Sequence, residues 1–365
     1  MSVVKQKQNQ ITEEDAYFNF INSLKSEVTK KEYEREIQLF MKFCDVTKLS
    51  SLLDLGDTQS QIIKYIMSLK GRGLSFNSIS LALYAIYHFY EMNDIALNKK
   101  KINMFKGEFT RRVSDRAYTY EEIKKLLDIS DLRMKSVILL MASSGIRIGA
   151  IPLLKLRNLE KIDSIYKITV YEGSNEQYFT FCTPECANYI DGYLEYRTKN
   201  GESLTKDSFL IRDQFDSTDL EQVRNRSKGI ALSTLKVIIH NKLIKSGIKV
   251  VDHSKHIRKE VPESHGFRKF FTTQLINSKV NAEIREMILG HKIGLASCYY
   301  RPAQDEMYDE YQKGIDKLTI NEENRLRNEL QHRVQIEKSQ IEALKADFER
   351  LKKQLLKNSR RISQN

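Results

Sequence analysis

The segment from His265 to Tyr300 is the sequence feature that most restricts how this chain can fold. His265 and Arg268 are three residues apart, so a helix places both side chains on one face. A second histidine, His291, directly follows the helix-ending glycine Gly290, and Tyr300 comes nine residues later. One segment of the sequence therefore carries a guanidinium, two imidazoles and a phenol. A helix, a turn and a loop are predicted to present them.

These side chains are the groups that phosphate chemistry uses when it runs without a metal ion. A guanidinium binds phosphoryl oxygens through two parallel hydrogen bonds, and histidines donate or move protons. A tyrosine hydroxyl can attack phosphorus and form a covalent intermediate. No acidic cluster suited to magnesium lies near them in the sequence, so we expect neither a metal nor another cofactor.

The charge balance of the chain narrows the class of its partner. The 60 Lys and Arg against 48 Asp and Glu give a formal net charge of +12. This excess favours a polyanion, most simply nucleic acid, although a basic protein without such a partner is the alternative.

The cysteines and the hydropathy of the chain indicate a cytoplasmic location. The amino terminus lacks an apolar signal core, and no apolar run is long enough to span a membrane. Four cysteines are too few for a disulfide scaffold, and the pair Cys182 and Cys186 is predicted to pack in a core rather than to bind metal.

The first third of the chain has the pattern of a small helical bundle. Residues 1–12 are polar and predicted to be a flexible amino terminus. A helical domain is predicted over 13–105: apolar side chains recur at helical spacing from Glu13 to about Asn98, and Ser75 is predicted to cap one helix. Lysines 99–101 and the pair Arg111-Arg112 mark a basic connection after the bundle, and residues 106–117 are polar and aperiodic, as expected of a linker.

A second domain is predicted over residues 118–318. It begins with the capping box of Thr119 and Glu122, and an apolar helix then ends at Ser143-Ser144-Gly145. Arg147 follows at once, between two apolar segments. An unpaired buried guanidinium is costly, so Arg147 must face either a bound anion or an internal carboxylate.

A β-hairpin is predicted in the middle of this domain. Residues 165–171 and 178–182 are rich in β-branched and aromatic types, and the polar turn 172–177 separates them. Helices are predicted at 185–198 and 233–246, with irregular surface loops in 199–229 between them. Two further helices follow at 263–275, with Ser264 as a possible N-cap, and at 281–289.

The carboxy-terminal segment, residues 319–357, is predicted to be a coiled-coil helix. It is highly charged, contains no glycine or proline, and places apolar residues at a and d spacing. These are Val334, Ile341, Leu344, Phe348, Leu351 and Leu355. A single amphipathic helix packed on the body is the alternative, and residues 358–365 form a basic tail.

The order of these motifs resembles that of the tyrosine recombinase (phage-integrase) family. The motifs are Ser144-Gly145-Ile146-Arg147, the hairpin, His265-Gly266-Phe267-Arg268, Leu289-Gly290-His291 and Tyr300. The sequences Tyr299–Pro302 and Leu318–Asn324 are similar to those of archaeal members.

This resemblance implies a mainly α-helical fold with a small hairpin or sheet. A helical core-binding, SAM-like domain would cover 13–105 and a catalytic domain 118–318, together forming a C-shaped clamp on duplex DNA. The implied function is a site-specific DNA recombinase or integrase that cuts and rejoins DNA through a 3′-phosphotyrosine, without metal or ATP. The implied assembly is a homo-oligomer, a tetramer on paired sites.

The resemblance also assigns the site residues. Arg147 and Arg268 would bind the scissile phosphate, His265 would transfer protons, and His291 would support the transition state. Tyr300 would be the nucleophile, with Tyr299 as the alternative.

Two departures from the family pattern concern a lysine and a carboxylate. The family usually has a catalytic lysine in the hairpin turn, but residues 172–177 contain none, and Lys167 on the first strand is the nearest substitute. Ala150 stands where many members have an acidic residue. A DNA-binding protein of the same fold with impaired catalysis is therefore the alternative function, and a coiled-coil assembly factor is a third.

Overall fold

The computed structural model describes residues 12–109, 115–224, 227–249, 263–292, 294, 300–327 and separate positions from 330 to 348. The chain divides into two compact units, Met1–Arg112 and Val113–Asn365. The described elements are mostly helical, with one small antiparallel sheet, so the predicted fold class is confirmed.

The amino-terminal unit consists of helices around one apolar core. Its elements are α1 (Glu13–Asn22), α2 (Glu27–Phe43), a 3-10 turn (Ser50–Leu52), α3 (Thr58–Gly71), α4 (Phe76–Met92) and α5 (Lys99–Met104). The aromatic residues Phe20, Phe40 and Tyr90 are fully buried in this core, as expected from their helical spacing.

Side chains at the helix starts explain the boundaries in this unit. Thr12, at the end of the segment predicted to be flexible, caps α1, and Ser75 caps α4 as predicted. The prediction of a mere connection at lysines 99–101 was wrong, because the Asn98 side chain accepts from Lys101 N at 2.9 Å and starts α5. Arg111 and Arg112 lie outside the described residues.

The second unit contains the remaining elements. Its helices are α6 (Tyr120–Asp128), α7 (Leu132–Ser144), α8 (Pro184–Lys199), α9 (Leu220–Arg224), α10 (Leu232–Lys245), α11 (Glu263–Asn277), α12 (Ala282–Ile288), α13 (Gln304–Gln312) and α14 (Ile315–Leu318). Two 3-10 turns, Ile148–Leu153 and Leu156–Asn158, follow α7. Helix α7 is almost wholly buried and packs against α8 and α11.

The sheet has three strands, β1 (Leu159–Ile162), β2 (Ile165–Val170) and β3 (Tyr178–Phe181), paired antiparallel in that order. The predicted hairpin is confirmed as β2 and β3, whereas β1 was not predicted. The hydroxyl of Thr180 on β3 donates to the carbonyl of Ser144 at 2.9 Å. This bond ties the hairpin to the end of α7, three residues before Arg147.

The segment 199–229 was predicted as surface loops, and this prediction was wrong in part. Glu202 is buried and binds Arg197 and Arg212, each at 2.7 Å, and both arginines are also buried. Leu210 and Val223 enter the core beside them. A charged, aperiodic sequence can thus be internal when its charges pair with one another.

The described positions from 322 to 348 are helical. Of the apolar positions predicted for the coiled coil, Val334, Ile341, Leu344 and Phe348 are exposed, and residues 351–365 lie outside the described residues. A coiled coil therefore stays a prediction. Among the described residues, no helix combines the length and apolarity needed to cross a membrane.

Candidate active site

Two arginines from distant parts of the chain bind adjacent main-chain carbonyls. Arg268, buried on α11, donates through Nη1 to Gly145 O at 2.6 Å and through Nη2 to Leu289 O. Arg147, just after α7, donates through Nη2 to Gly290 O at 3.4 Å. Burial, and then the nearby charge of Arg147, lower the pKa of Arg268. The two guanidiniums therefore lie side by side.

Neither guanidinium is neutralised by a carboxylate. Within the part of the chain that the structure describes, no Asp or Glu lies at ion-pair distance from Arg147 or Arg268. The interpretation of Arg147 as the partner of an internal carboxylate therefore does not fit these residues. Two uncompensated cations side by side form a site for an anion with several oxygens.

His291 lies against Arg268 and is held by a carboxylate. Its Nε2 is 2.8 Å from Arg268 Nη2, and its Nδ1 is 2.6 Å from Glu286 Oε2. A guanidinium has no acceptor, so Nε2 must carry a lone pair and Nδ1–H must donate to Glu286. These partners assign the neutral tautomer and fix the plane of the ring.

Gly290 lets the chain reach this position. Its φ is +67°, and a Cβ there would lie 2.5 Å from the ring of Tyr178. Tyr178 begins β3, and its hydroxyl is buried near both arginines. The glycine thus permits a tight contact between the hairpin and the loop that carries His291.

An open cleft of about 730 Å³ gives access to this group. Its lining consists of Arg147, residues 175–178 of the hairpin turn, Met287, Gly290, His291 and Lys292. The hairpin turn is therefore one wall of the cleft, as the resemblance implies. That wall presents Asn175, Glu176 and Gln177, and no lysine.

His265 lies in the first turn of α11, one turn before Arg268, and its side chain is exposed. It is not among the side chains that line the cleft. The prediction of Ser264 as N-cap was wrong, because the described helix already begins at Glu263. The Glu263 carboxylate binds Lys249, and its Oε1 lies 2.8 Å from His240 Nδ1. These two contacts anchor this end of the helix.

The Tyr300 hydroxyl is bound by a carboxylate rather than by a group of the cleft. Its hydroxyl donates to Glu306 Oε1 at 2.8 Å, and its ring packs on the core. The hydrogen bond to Glu306, with smaller contributions from burial and from the carboxylate charge, raises the pKa of Tyr300 to about 12. The structure thus brings together Arg147, Arg268 and His291, and leaves Tyr300 outside the cleft. Tyr299 lies outside the described residues.

The lysine proposed as a substitute is occupied elsewhere. The ammonium of Lys167 binds Glu160 Oε2 at 2.7 Å and Gln304 Oε1 at 2.5 Å. Lys167 does not line the cleft, whereas Lys292 does. Lys292 was not predicted as a cleft residue, although its position directly after Gly290-His291 indicates that it lies near the site.

Cys182 and Cys186 are free and fully buried, as predicted for packing residues. The described residues contain no group of three or more His, Cys, Asp or Glu side chains that could hold a metal ion.

Comparisons with known proteins agree with these motifs. A sequence model of the "Phage integrase family" matches residues 116–306. The curated "Tyrosine recombinase XerC" of Leptospira interrogans is 21% identical over 313 residues, which cover 80% of this chain and 91% of that protein.

Two solved structures share the fold at low identity. One is the Tn1549 transposon integrase in complex with transposon right end DNA, with a TM-score of 0.56 and 15% identity, covering 83% of this chain and 99% of that one. The other is a lambda integrase tetramer bound to a Holliday junction, with a TM-score of 0.55 and 14% identity, covering 81% and 80%.

Proposed function

This chain belongs to the phage integrase family, and on that premise we propose that it is a site-specific recombinase that cuts and rejoins duplex DNA through a 3′-phosphotyrosine. The observation that carries the proposal is the pair of uncompensated guanidiniums, Arg147 and Arg268, beside His291 at an open cleft. A phosphodiester under attack gathers negative charge on its non-bridging oxygens, and this arrangement offers fixed donors for that charge.

The proposed roles of Arg147, Arg268 and His291 rest on their positions at the cleft, and those of His265 and Tyr300 rest on the family resemblance. Arg147 and Arg268 bind the scissile phosphate, and His291, held by Glu286, supports the charge of the transition state. His265, exposed one helical turn from Arg268, transfers protons. Tyr300 leaves Glu306 and attacks phosphorus, and a free 5′-hydroxyl later attacks the phosphotyrosine to rejoin the strand.

Duplex DNA is the proposed partner. The net charge of +12 suits a polyanion, and the Tn1549 integrase and lambda integrase were solved with DNA.

A homo-oligomer, a tetramer on paired sites, is proposed by analogy with the lambda integrase tetramer. The exposed apolar positions between 330 and 348 offer a surface for such an assembly. The free thiols fit a reducing compartment, so we place the protein in the cytoplasm.

A catalytically impaired DNA-binding protein is the second candidate. Two observations favour it: the hairpin turn offers no lysine to the cleft, and the Tyr300 hydroxyl is bound by Glu306 while Tyr300 does not line the cleft. This candidate predicts DNA binding without any covalent adduct.

The deciding experiment is the capture of a covalent adduct. The full chain is incubated with a pool of nicked duplexes of randomised sequence, so that a short cleaved fragment is lost and the adduct cannot reverse. Covalent complexes are isolated, the DNA is sequenced, and the modified peptide is identified by mass spectrometry. We expect an adduct on Tyr300, absent from Tyr300→Phe and present in the matched Tyr299→Phe. DNA retention without an adduct would instead establish the second candidate.

A further inference from the structure

Lys292 is a cation of the cleft that none of the roles above uses. It directly follows His291 in the loop after α12, its side chain is exposed, and it lines the same cleft as Arg147. In the described ranges, no carboxylate pairs with its ammonium group. The Lys292 ammonium group can therefore approach a group bound in the cleft, and it carries a proton that it can transfer.

Strand cleavage needs a proton donor in this cleft. The leaving group is a deoxyribose 5′-oxygen, and its expulsion as an alkoxide is slow unless a proton reaches it in the transition state. The arginines hold their protons too tightly to supply one. His291 Nε2 is an acceptor from Arg268, so in this arrangement it has no proton to give.

The other cleft residues are no better suited. Burial raises the pKa of Tyr178, an effect that the two nearby arginines only partly offset. The amides of Asn175 and Gln177 are not acids at all. Lys167 is bound to Glu160 and Gln304 outside the cleft. Of the described residues that line the cleft, Lys292 is the side chain with a transferable proton and no competing partner.

We infer that Lys292 is the general acid that protonates the leaving 5′-oxygen, acting from the loop after His291 because the hairpin wall has no lysine. This inference rests on the proposed function. In the cleavage step the Tyr300 oxygen–phosphorus bond forms and the phosphorus–O5′ bond breaks. A proton passes from the Lys292 ammonium to O5′, leaving a neutral amine and a 5′-hydroxyl, and the phenol proton passes by way of water to His265, the proton carrier of the proposed roles. In rejoining, the 5′-hydroxyl attacks phosphorus and its proton returns to the Lys292 amine, while the Tyr300 oxygen–phosphorus bond breaks and the phenolate regains a proton from His265.

The test compares two duplexes that differ in one atom. Both carry the sequence recovered by adduct capture, and one has sulfur in place of the bridging 5′-oxygen at the scissile phosphate. A thiolate leaves without protonation, so the sulfur duplex does not need the acid. With the oxygen duplex, we expect Lys292→Ala to form the adduct about 10²–10⁴-fold more slowly than the wild type. With the sulfur duplex, Lys292→Ala should match the wild type.

Matched variants separate proton transfer from charge. Lys292→Arg keeps the positive charge but cannot release a proton, so it should show the same defect and the same rescue by sulfur. Arg147→Ala should be slow on both duplexes, because sulfur does not replace phosphate binding. Lys167→Ala should cut the oxygen duplex as the wild type does.

The outcomes separate this inference from the proposed function. Wild-type cleavage with no defect in Lys292→Ala, or with a defect that sulfur does not relieve, overturns the inference alone. Sulfur rescue of Lys167→Ala would assign the acid to Lys167 and also overturn it. A wild-type chain that forms no adduct overturns the proposed function, and this inference with it. Lys292 is an exposed loop residue, so both substitutions are expected to leave folding intact.

Discussion

The Tyr300 hydroxyl donates to the Glu306 carboxylate at 2.8 Å, across a separation of six residues. This bond raises the pKa of Tyr300 and so favours the protonated phenol. The proposed nucleophile is therefore held in an unreactive arrangement, and attack on phosphorus requires that Tyr300 first leave Glu306.

The first prediction concerns the pKa of Tyr300. A carboxylate acceptor stabilises the protonated phenol, so Glu306→Gln should lower the pKa of Tyr300 from about 12 toward its ordinary value. The measurement is a pH titration of ring-labelled tyrosine by NMR, with Tyr300→Phe to assign the signal. Asp305→Asn, which changes the adjacent exposed carboxyl group, is the control and should leave the titration unchanged. An unaltered titration in Glu306→Gln would show that Glu306 does not cause the raised pKa of Tyr300.

The second prediction separates cleavage from binding at Arg268. Arg268→Ala should abolish adduct formation but leave most of the DNA affinity, because phosphate contacts elsewhere dominate binding. Arg268→Lys keeps one charge without the two-donor geometry, so it should restore affinity fully and cleavage only weakly. Fluorescence anisotropy and adduct yield on the captured duplex measure the two effects. Normal cleavage by Arg268→Ala would remove Arg268 from the site.

The same substitution should also reduce stability. Arg268→Ala leaves the carbonyls of Gly145 and Leu289 without their buried donor, at a cost of about 1–3 kcal/mol in the free energy of unfolding. Urea unfolding measures this cost. Equal midpoints for the variant and the wild type would mean that water replaces the lost donor.

The third prediction concerns the contact of Gly290 with Tyr178. Gly247→Ala is the control, because Gly247 has φ +73° and open space around its missing Cβ. It should cost about 1–2 kcal/mol of stability from backbone strain alone. Gly290→Ala has similar backbone strain and in addition forces the Tyr178 ring to move, which should cost about 1–3 kcal/mol more. Urea denaturation of the two variants measures the difference in their free energies of unfolding, which is the cost of the contact with the Tyr178 ring. Equal losses of stability in the two variants would refute that cost.

The fourth prediction concerns the pH dependence of stability at Glu202. Burial raises the pKa of Glu202, but the hydrogen bonds and charges of Arg197 and Arg212 outweigh it and lower the pKa to about 2. Because the folded-state pKa is depressed, the stabilisation is complete above the ordinary value of 4.5 and is lost as the pH falls from there to about 2. Glu202→Gln should remove this dependence and cost about 3–5 kcal/mol at neutral pH, since two buried guanidiniums lose their partner.

An exposed ion pair provides the control for Glu202. Glu195 binds Lys199 at 2.7 Å on the surface, so Glu195→Gln should change stability by less than about 1 kcal/mol. The measurement is the free energy of unfolding of both variants between pH 2 and 7. Loss of the acid transition in Glu195→Gln rather than in Glu202→Gln would contradict the assignment.

Local patterns in the sequence predicted several elements of the fold correctly. Ser75 and the pair Thr119 and Glu122 are caps whose partners lie three residues away, so the sequence alone specifies them. The hairpin was recognisable from β-branched and aromatic runs. Strand β1 was missed because it is short, carries exposed charges, and gains its stability from pairing with β2.

The side-chain partners within the site could not be predicted in the same way. The ordered motifs indicated Arg147, Arg268 and His291, and the structure brings these three together. Nothing local in the sequence indicates that Glu286 holds His291 or that Glu306 holds Tyr300. Each pair spans only five or six residues and joins a loop residue to a helix, and no helical or turn pattern in the sequence specifies a contact of that kind.

The attachment of both arginines to neighbouring carbonyls, those of Leu289 and Gly290, has a consequence for catalysis. One short turn of chain aligns the side chains that arrive from α7 and α11, so their geometry is set during folding and no substrate is needed to organise it. Under the proposed function the site is thus preorganised, so that the scissile phosphate meets two guanidiniums that are already aligned.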